Sequence, residues 1–542
     1  MAQDDTKASK SVGDPLDEAR RIIDRDIARL EESIRSLKSR RNNLSSISRL
    51  PAEILCKICS FIEGRTRDPW RSPESWISFS RASQQWRLLA LSAPELWTNI
   101  PIKYPRWAEK MLARSKMAEL TMQADLIYST NSRVLDAIRL CLFQMIRLKE
   151  IDIFKLETPG STMTLEQLFQ DIPKSAPQLH TLHLRNAASL FAIPDDFLSD
   201  TERLKCVHLK GCKIGWDCTL LTGLTRLTLH DSLKDHSNSS IVPFLHALQR
   251  MPALTHLDLV NSIPHDSRGL STYPVADLPC LRVLRISSCV GAMAAVLAHI
   301  TFPSKAQLTF ICKETQSTQF DFSTFLSVLA AKFLSSLVQN LHLCATTTTN
   351  QNGLLINAWS TTTVHDYSRY SHNPPRLELT LTWPNTLPSD NSPRNYAKAL
   401  IATFDAMDLR ALTQLGLVTW DYIDVKTWLT TFARLSLLER VRVTGIAARS
   451  FIKALVHKSK GANTSIAAYH TVSFPGLRYI CMDDIDFGET LSVDKLMDCL
   501  MERYERNAEV QELCLVDCDN IRAIEVERLR EIVVHVHCDN VV

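Results

Sequence analysis

One six-residue template, L-x-x-L-x-L with Leu, Ile, Val or Met at the fixed places, constrains this chain more than any other feature. It starts at Met117 ("MAELTM"), Leu148 ("LKEIDI"), Leu179 ("LHTLHL"), Leu204 ("LKCVHL"), Leu224 ("LTRLTL"), Leu254 ("LTHLDL") and Leu281 ("LRVLRI"). It returns at Val338 ("VQNLHL"), Leu412 ("LTQLGL"), Leu438 ("LERVRV"), Leu477 ("LRYICM") and Val510 ("VQELCL"). Successive starts lie 20 to 39 residues apart, except for two steps of 57 and 74. Those steps are long enough to hold degenerate copies, and "LTFICK" from Leu308 and "PPRLEL" from Pro374 are the candidates. Alternating apolar residues in so short a run predict a strand with one buried face. Stretches such as "SIVPFLHALQRM" and "SVDKLMDCLMERYE" between templates predict helices. Pro177, Pro252, Pro279 and Pro475 each stand two residues before a template. There a proline ends the helix and sets an extended approach to the strand. One strand–helix pair cannot bury its own apolar face, but stacked pairs can. The expected fold is therefore an α/β solenoid, a horseshoe with parallel strands on the concave face and helices outside. A two-sided enzyme sheet would need a Gly-rich phosphate loop. With 14 glycines in 542 residues, no such loop is found.

The charge balance narrows the function. The 62 basic and 59 acidic residues leave a net charge of only +3, which gives no drive toward bulk nucleic acid or a membrane surface. The first residues carry no apolar core of a secretory signal, and no run of eighteen apolar residues occurs. The fifteen cysteines then read as reduced thiols, and a cytoplasmic or nuclear location is expected. The acceptor patterns at Asn238 and Asn463 carry no weight without secretion.

Three segments precede the array and one interrupts it. Residues 1–15 are polar and expected to be a disordered tail. Over 16–46, apolar residues fall at Leu16, Ile23, Ile27, Leu30, Ile34, Leu37 and Leu44, with Arg20 and Arg41 at the remaining seam positions. This is a coiled-coil seam. Either two copies pair through residues 16–46 as a homodimer, or the helix packs back on the next domain. Over 47–103, Ile54, Leu55, Ile58, Phe61 and Ile62 share a helical face behind Pro51, which suits a first turn. Gly64, Pro69 and Pro73 then break the chain; Trp76, Phe79, Ala82 and Trp86 line a second helical stretch; "SAPELW" closes the unit. Such a bundle is small for its apolar content, and a partner covering one face would resolve this. The array takes residues 104–542, with Thr-, Ser-, Asn- and Pro-rich sequence over 345–396 expected to form long loops.

"LPAEILCKICSFI", from Leu50 to Ile62, resembles the F-box motif, whose start reads L-P-x-E-[IL]-L-x-x-I. Leu50, Pro51, Glu53, Ile54, Leu55 and Ile58 match it, as do Trp86-Arg87, Ala90 and Leu96-Trp97 behind a Ser-x-Pro. Cys59 stands where an aromatic is usual, Ala82 and Gln84 depart from the pattern, and the loop from Glu63 to Ser75 is long. The whole arrangement resembles fungal F-box proteins with an N-terminal coiled-coil helix and C-terminal leucine-rich repeats. That resemblance implies a non-catalytic substrate receptor of an SCF-type ubiquitin ligase. The F-box would bind a Skp-type adaptor, and through it a cullin and a RING subunit, while the repeats hold a protein substrate. Adaptor contacts carried over are Leu50, Pro51, Ile54, Leu55 and Ile58, with Trp86 and Trp97 as further candidates. The other readings are a leucine-rich-repeat scaffold whose bundle is a structural cap or binds adaptor without cullin, and an enzyme of unrecognised type.

Within each strand, the residues between the inward leucines face outward. His183, Arg185, His208, Lys210, His230 and Arg285 stand at such positions, and Arg440 and Arg442 do so later. This bias favours an anionic peptide, such as a phosphorylated degron, because Arg pairs well with phosphate oxygens. The alternative is that these are ordinary solvated strand positions. Cys206, Cys212 and Cys218 with His208 lack the spacing of a zinc site, and "HVHC" at His535–Cys538 is an isolated cluster. No G-x-S-x-G, H-E-x-x-H or G-x-x-x-x-G-K-[ST] occurs, so no catalytic residue, metal or cofactor is expected.

Overall fold

The computed structural model describes residues 15–65, 78–81, 83–126, 132–156, 164–187, 191–232, 240–264, 273–313, 321–333, 338–348, 351–360, 374–384, 392–418, 423–457 and 472–539. The tail over 1–14, Trp76, Ala82, Asn238, Asn463 and most of the loop from Glu63 to Ser75 lie outside them. The chain divides into two compact units: residues 1–153 with 167–179, and residues 154–166 with 180–542.

The first unit begins with α1 (Pro15–Asn43), a single helix of 29 residues. Asp17 and Glu18 in its first turn and Arg40 and Arg41 in its last suit the helix dipole. None of its residues is buried. A 3-10 turn (Ser46–Arg49) leads to α2 (Ala52–Arg65) and then, after a second such turn, to α3 (Gln84–Ser92). Ser83 caps α3, its Oγ accepting from the Trp86 backbone N–H at 3.2 Å. Beyond it, β1 (Asn99–Pro101) pairs in parallel with β2 (Leu120–Leu126), which also pairs with β3 (Leu148–Lys155). Helices α4 (Pro105–Arg114) and α5 (Ser132–Leu142) supply the intervening connections.

The second unit is a long, mainly parallel sheet. Strands β4 (Thr181–Asn186), β5 (Cys206–Lys210), β6 (Arg226–His230), β7 (His256–Val260), β8 (Val283–Cys289) and β9 (Gln307–Lys313) pair in chain order, each parallel to the last. The order then changes. Next to β9 lies β12 (Leu377–Pro384), then β11 (Gln351–Trp359), then β10 (Asn340–Thr347), and only then β13 (Gln414–Val418). β11 runs antiparallel to both neighbours. Parallel order resumes through β14 (Arg440–Thr444), β15 (Tyr479–Asp483), β16 (Glu512–Val516) and β17 (His535–Cys538). This is a mixed α/β chain built on a long parallel sheet, with the repeat character of a leucine-rich array.

Two expectations need correction here. The segment 345–396 is not loop throughout, since it contains β11, β12 and the start of a helix over Ser392–Ala406. Leu354, Ile356 and Ala358 alternate inward in β11, and the polar composition hid that pattern. Gly353 is closely enclosed there: a Cβ would lie 2.6 Å from Thr346 Oγ1. "HVHC" is the last strand of the sheet rather than an isolated cluster. The loop portions over 361–373 and 385–391 lie outside the described residues.

A recurring device ends the strands. Gly211, Asp231, Asn261 and Asp517 all have φ between 48° and 63°. Each is followed by a small polar residue: Cys212, Ser232, Ser262 and Cys518. Those side chains donate back to strand carbonyls: Ser232 Oγ to His230 O at 2.9 Å, Ser262 Oγ to Val260 O at 2.8 Å, and Cys518 Sγ to Val516 O at 3.3 Å. The turn thereby satisfies buried carbonyls that the sheet leaves over. Gly211 has no alternative there, because a Cβ would sit 2.0 Å from Asn186 O.

Candidate functional site

Two faces carry the residues singled out by sequence, one in each unit. In the first, Leu50 and Pro51 lead into α2, and the backbone N–H groups of Ile54 and Leu55 both donate to Pro51 O at 3.1 Å. The helix therefore starts on the proline, with no N–H lost. α2 packs on α3 and on the 3-10 turn Pro94–Trp97. Leu55 points into that contact and is 1% exposed. Trp97 is equally sealed; its Nε1–H donates to Ala90 O at 2.6 Å, and the Arg114 guanidinium lies 4.3 Å from its ring centroid. Leu55 and Trp97 hold the bundle together, so neither is available to touch an adaptor. Ile54 is 44% exposed and Leu50 37%, Pro51 is exposed, and Ile58 and Trp86 are half-buried. Ile47, Leu88 and Leu91 are further exposed apolar side chains nearby in sequence that the motif did not single out. Their signal was available as apolar residues on α3 and in the turn before α2 with no repeat partner.

In the second unit, the six outward-facing residues gather over five adjacent strands. His183 lies across from His208, and Arg185 across from Lys210. Lys210 in turn lies across from His230, and Arg285 across from Asp258. At ordinary strand spacing this patch is about 19 Å wide. The imidazoles form a stack: His183 and His208 have centroids 5.4 Å apart, His208 and His230 5.7 Å. Asp258 Oδ1 approaches His230 Nε2 at 3.3 Å, without hydrogen-bond alignment. Arg185 stacks over Phe154, 5.1 Å from its centroid. Phe154 was not singled out from sequence; the available signal in "LKEIDIF" was an aromatic on the face opposite the inward Ile151 and Ile153.

No family model and no curated protein matches this sequence. Among solved structures, a leucine-rich-repeat protein of Leptospira interrogans aligns with 12% identity over 79% of this chain and 92% of its own, at a TM-score of 0.29.

The later strands use their cations differently. Arg442 donates to Asp483 Oδ2 from Nε at 3.2 Å and from Nη2 at 2.8 Å, and Thr444 Oγ1 donates to the same oxygen at 3.3 Å. Arg440 lies over Tyr479, 4.6 Å from the ring centroid. Arg442 is neutralised by Asp483 and drops out of the expected cationic face, whereas Arg440 is stacked on a ring just as Arg185 is. Among the described residues, no group of three or more His, Cys, Asp or Glu is placed to hold a metal. Cys212 donates to Leu184 O and Lys210 O, and burial pushes its thiol up to about 12, so it stays protonated.

Proposed function

We propose that this chain is the substrate-recognition subunit of an SCF-type ubiquitin ligase, docking a Skp-type adaptor through α2 and holding a protein substrate on its repeats. The observation that supports the reading is one of placement. The helix opened by "LPAEIL" keeps Leu55 inside the bundle while Leu50, Pro51 and Ile54 stand in water. Contiguous exposed apolar side chains beside a well-packed bundle mark a docking surface. In this reading Leu50, Pro51, Ile54 and Ile58 contact the adaptor, and the adaptor brings cullin and the RING subunit. The chain performs no bond-making step; it raises the local concentration of substrate near the ubiquitin-loaded enzyme.

The substrate face in this reading is the patch of His183, Arg185, His208, Lys210, His230 and Arg285. Its chemistry suits an acidic or phosphorylated peptide, with Asp258 rejecting a carboxylate placed directly on His230. Co-purification from cells tests the assignment. Recovery of adaptor together with cullin, lost in Ile54→Asp, is the expected result. Adaptor without cullin would instead make the chain a repeat scaffold. Recovery of neither would remove the ligase role.

A further inference from the structure

We infer that two copies of this chain pair through α1 as an antiparallel coiled coil, with Ile27 of one copy against Leu37 of the other. The seam on α1 is continuous and uncovered. Ile23, Ile27, Leu30, Ile34 and Leu37 are each between 48% and 65% exposed. A stripe of that kind on a 29-residue helix with no buried residue needs another surface. Its centre alternates Ile27, Leu30, Ile34 and Leu37 in steps of three and four. Apolar residues at that spacing form the seam of a coiled coil.

Charge decides the direction. The positions flanking the seam are acidic in the N-terminal half, at Asp17, Asp24, Asp26 and Glu31, and basic in the C-terminal half, at Lys38 and Arg40. In a parallel pair, Asp26 would face Glu31 of the second copy on both sides, and Arg20 and Arg41 would each meet their own equivalents in the seam. No flanking pair would attract. In an antiparallel pair set by Ile27 on Leu37, Asp24 faces Lys38 of the second copy and Asp26 faces Arg40, each twice by symmetry. Only Glu31 meets its own equivalent. Arg20 and Arg41 then lie against Leu44 and Ile23 of the second copy, where their stems cover apolar surface and their heads reach water. Asp26 already lies 3.8 Å from Arg29 within its own helix, an exposed pair that competes weakly. The partner is thus a second copy, held by four apolar layers and steered by complementary halves. The two chains leave the pair at opposite ends, about 40 Å apart for a helix of this length. This pairing does not depend on the ligase reading.

Sedimentation of the full chain at low salt tests the inference. The wild type is expected to sediment as a dimer that weakens as salt rises, and a monomer at tens of micromolar would overturn it. Asp24→Lys with Asp26→Lys, and separately Lys38→Glu with Arg40→Glu, are expected to weaken self-association at least tenfold. Mixing the two variants is expected to restore a dimer containing one of each, because the pairs between positions 24 and 38 and between 26 and 40 all become attractive again. Failure of the mixture to associate would overturn the antiparallel register. So would tighter association of Asp26→Lys alone, since that change relieves repulsion only in a parallel pair. All four positions are exposed, and an unchanged melting temperature confirms that each variant folds.

Discussion

Leu257 and Ile54 are both aliphatic residues in regular structure, and they show how differently the two ends of this chain treat apolar surface. Leu257, in β7, is fully buried between neighbouring strands; Ile54, on α2, is 44% exposed. The array closes its core with its own repeats, since each leucine of the template is covered by the next strand or by the helix behind it. The N-terminal helices keep only selected residues, Leu55, Ala90, Leu96 and Trp97, for themselves. Leu50, Ile54, Leu88 and Leu91 are left exposed there. The largest expected difference follows directly. Leu257→Ala should cost about 2–5 kcal/mol of folding stability, because the packed sheet cannot collapse onto the cavity. A urea-unfolding midpoint that barely moved would mean the array is not a close-packed core.

Ile54→Asp should give the opposite profile. Stability should change by no more than about 0.5 kcal/mol at an exposed helical site. Adaptor affinity should fall by about 2 kcal/mol or more, as for a central interface anchor. Leu55→Asp, one residue on, should unfold the bundle instead, since it buries a charge without a partner. Calorimetric titration with purified adaptor, beside a melting curve, separates the two. Equal melting losses at both positions would erase the contrast between the two regions.

Much of this contrast was legible in the sequence, and the reasons differ by region. Each L-x-x-L-x-L copy falls on a strand, from β2 at "MAELTM" to β16 at "VQELCL", and the two degenerate candidates fall on β9 and β12. Period-two burial and a preceding proline are local signals, so they survive without knowledge of neighbours. The reversed block of β10, β11 and β12 was not legible, because the template states which face is buried and not which strand lies alongside. β11 also lacks the template leucines and is rich in Asn. In the candidate site, the spacing of "LPAEIL" indicated one helical face but could not divide it. Leu55 and Ile54 are adjacent and equally apolar, and only packing against α3 and the Pro94–Trp97 turn seals one of them. Nor could sequence show that Arg442 is engaged by Asp483, 41 residues away.

The array also draws a titratable group out of water, which allows a pH test. Burial, and then the charge of Arg442, push His342 in β10 down from 6.5 to about 4. His342 and Arg442 lie in register on either side of Gly416. A histidine whose folded value is depressed is neutral in both states at pH 7. As pH falls below about 6.5, the unfolded chain takes up the proton and the folded chain does not. Stability is therefore lost between about pH 6.5 and 4, by on the order of 1–2 kcal/mol near pH 5 for this one group. His342→Gln should remove that part of the acid sensitivity and leave stability at pH 8 nearly unchanged. Identical pH profiles for the two proteins would mean that His342 remains open to water.

A smaller effect on binding than at Ile54 is expected in the cationic patch, and here the comparison moves inside the array. Arg185→Glu with Lys210→Glu should cost about 1 kcal/mol of stability, since Lys210 is exposed and the half-buried Arg185 loses its stacking on Phe154. Arg442→Glu should cost more, because it sets a second carboxylate against Asp483 where a bidentate contact stood. Ligand binding should rank them the other way. On a panel of phosphoserine peptides and their unphosphorylated counterparts, the Arg185 and Lys210 reversals should weaken phosphopeptide retention by roughly 1 kcal/mol or more, or about fivefold, with little change for the counterparts. Arg442→Glu should leave the ratio of the two unchanged once the folded fraction is matched. If the Arg185 and Lys210 reversals also left the ratio unchanged, those cations would be solvated strand positions like any others, and the substrate would have to be read by another part of the chain.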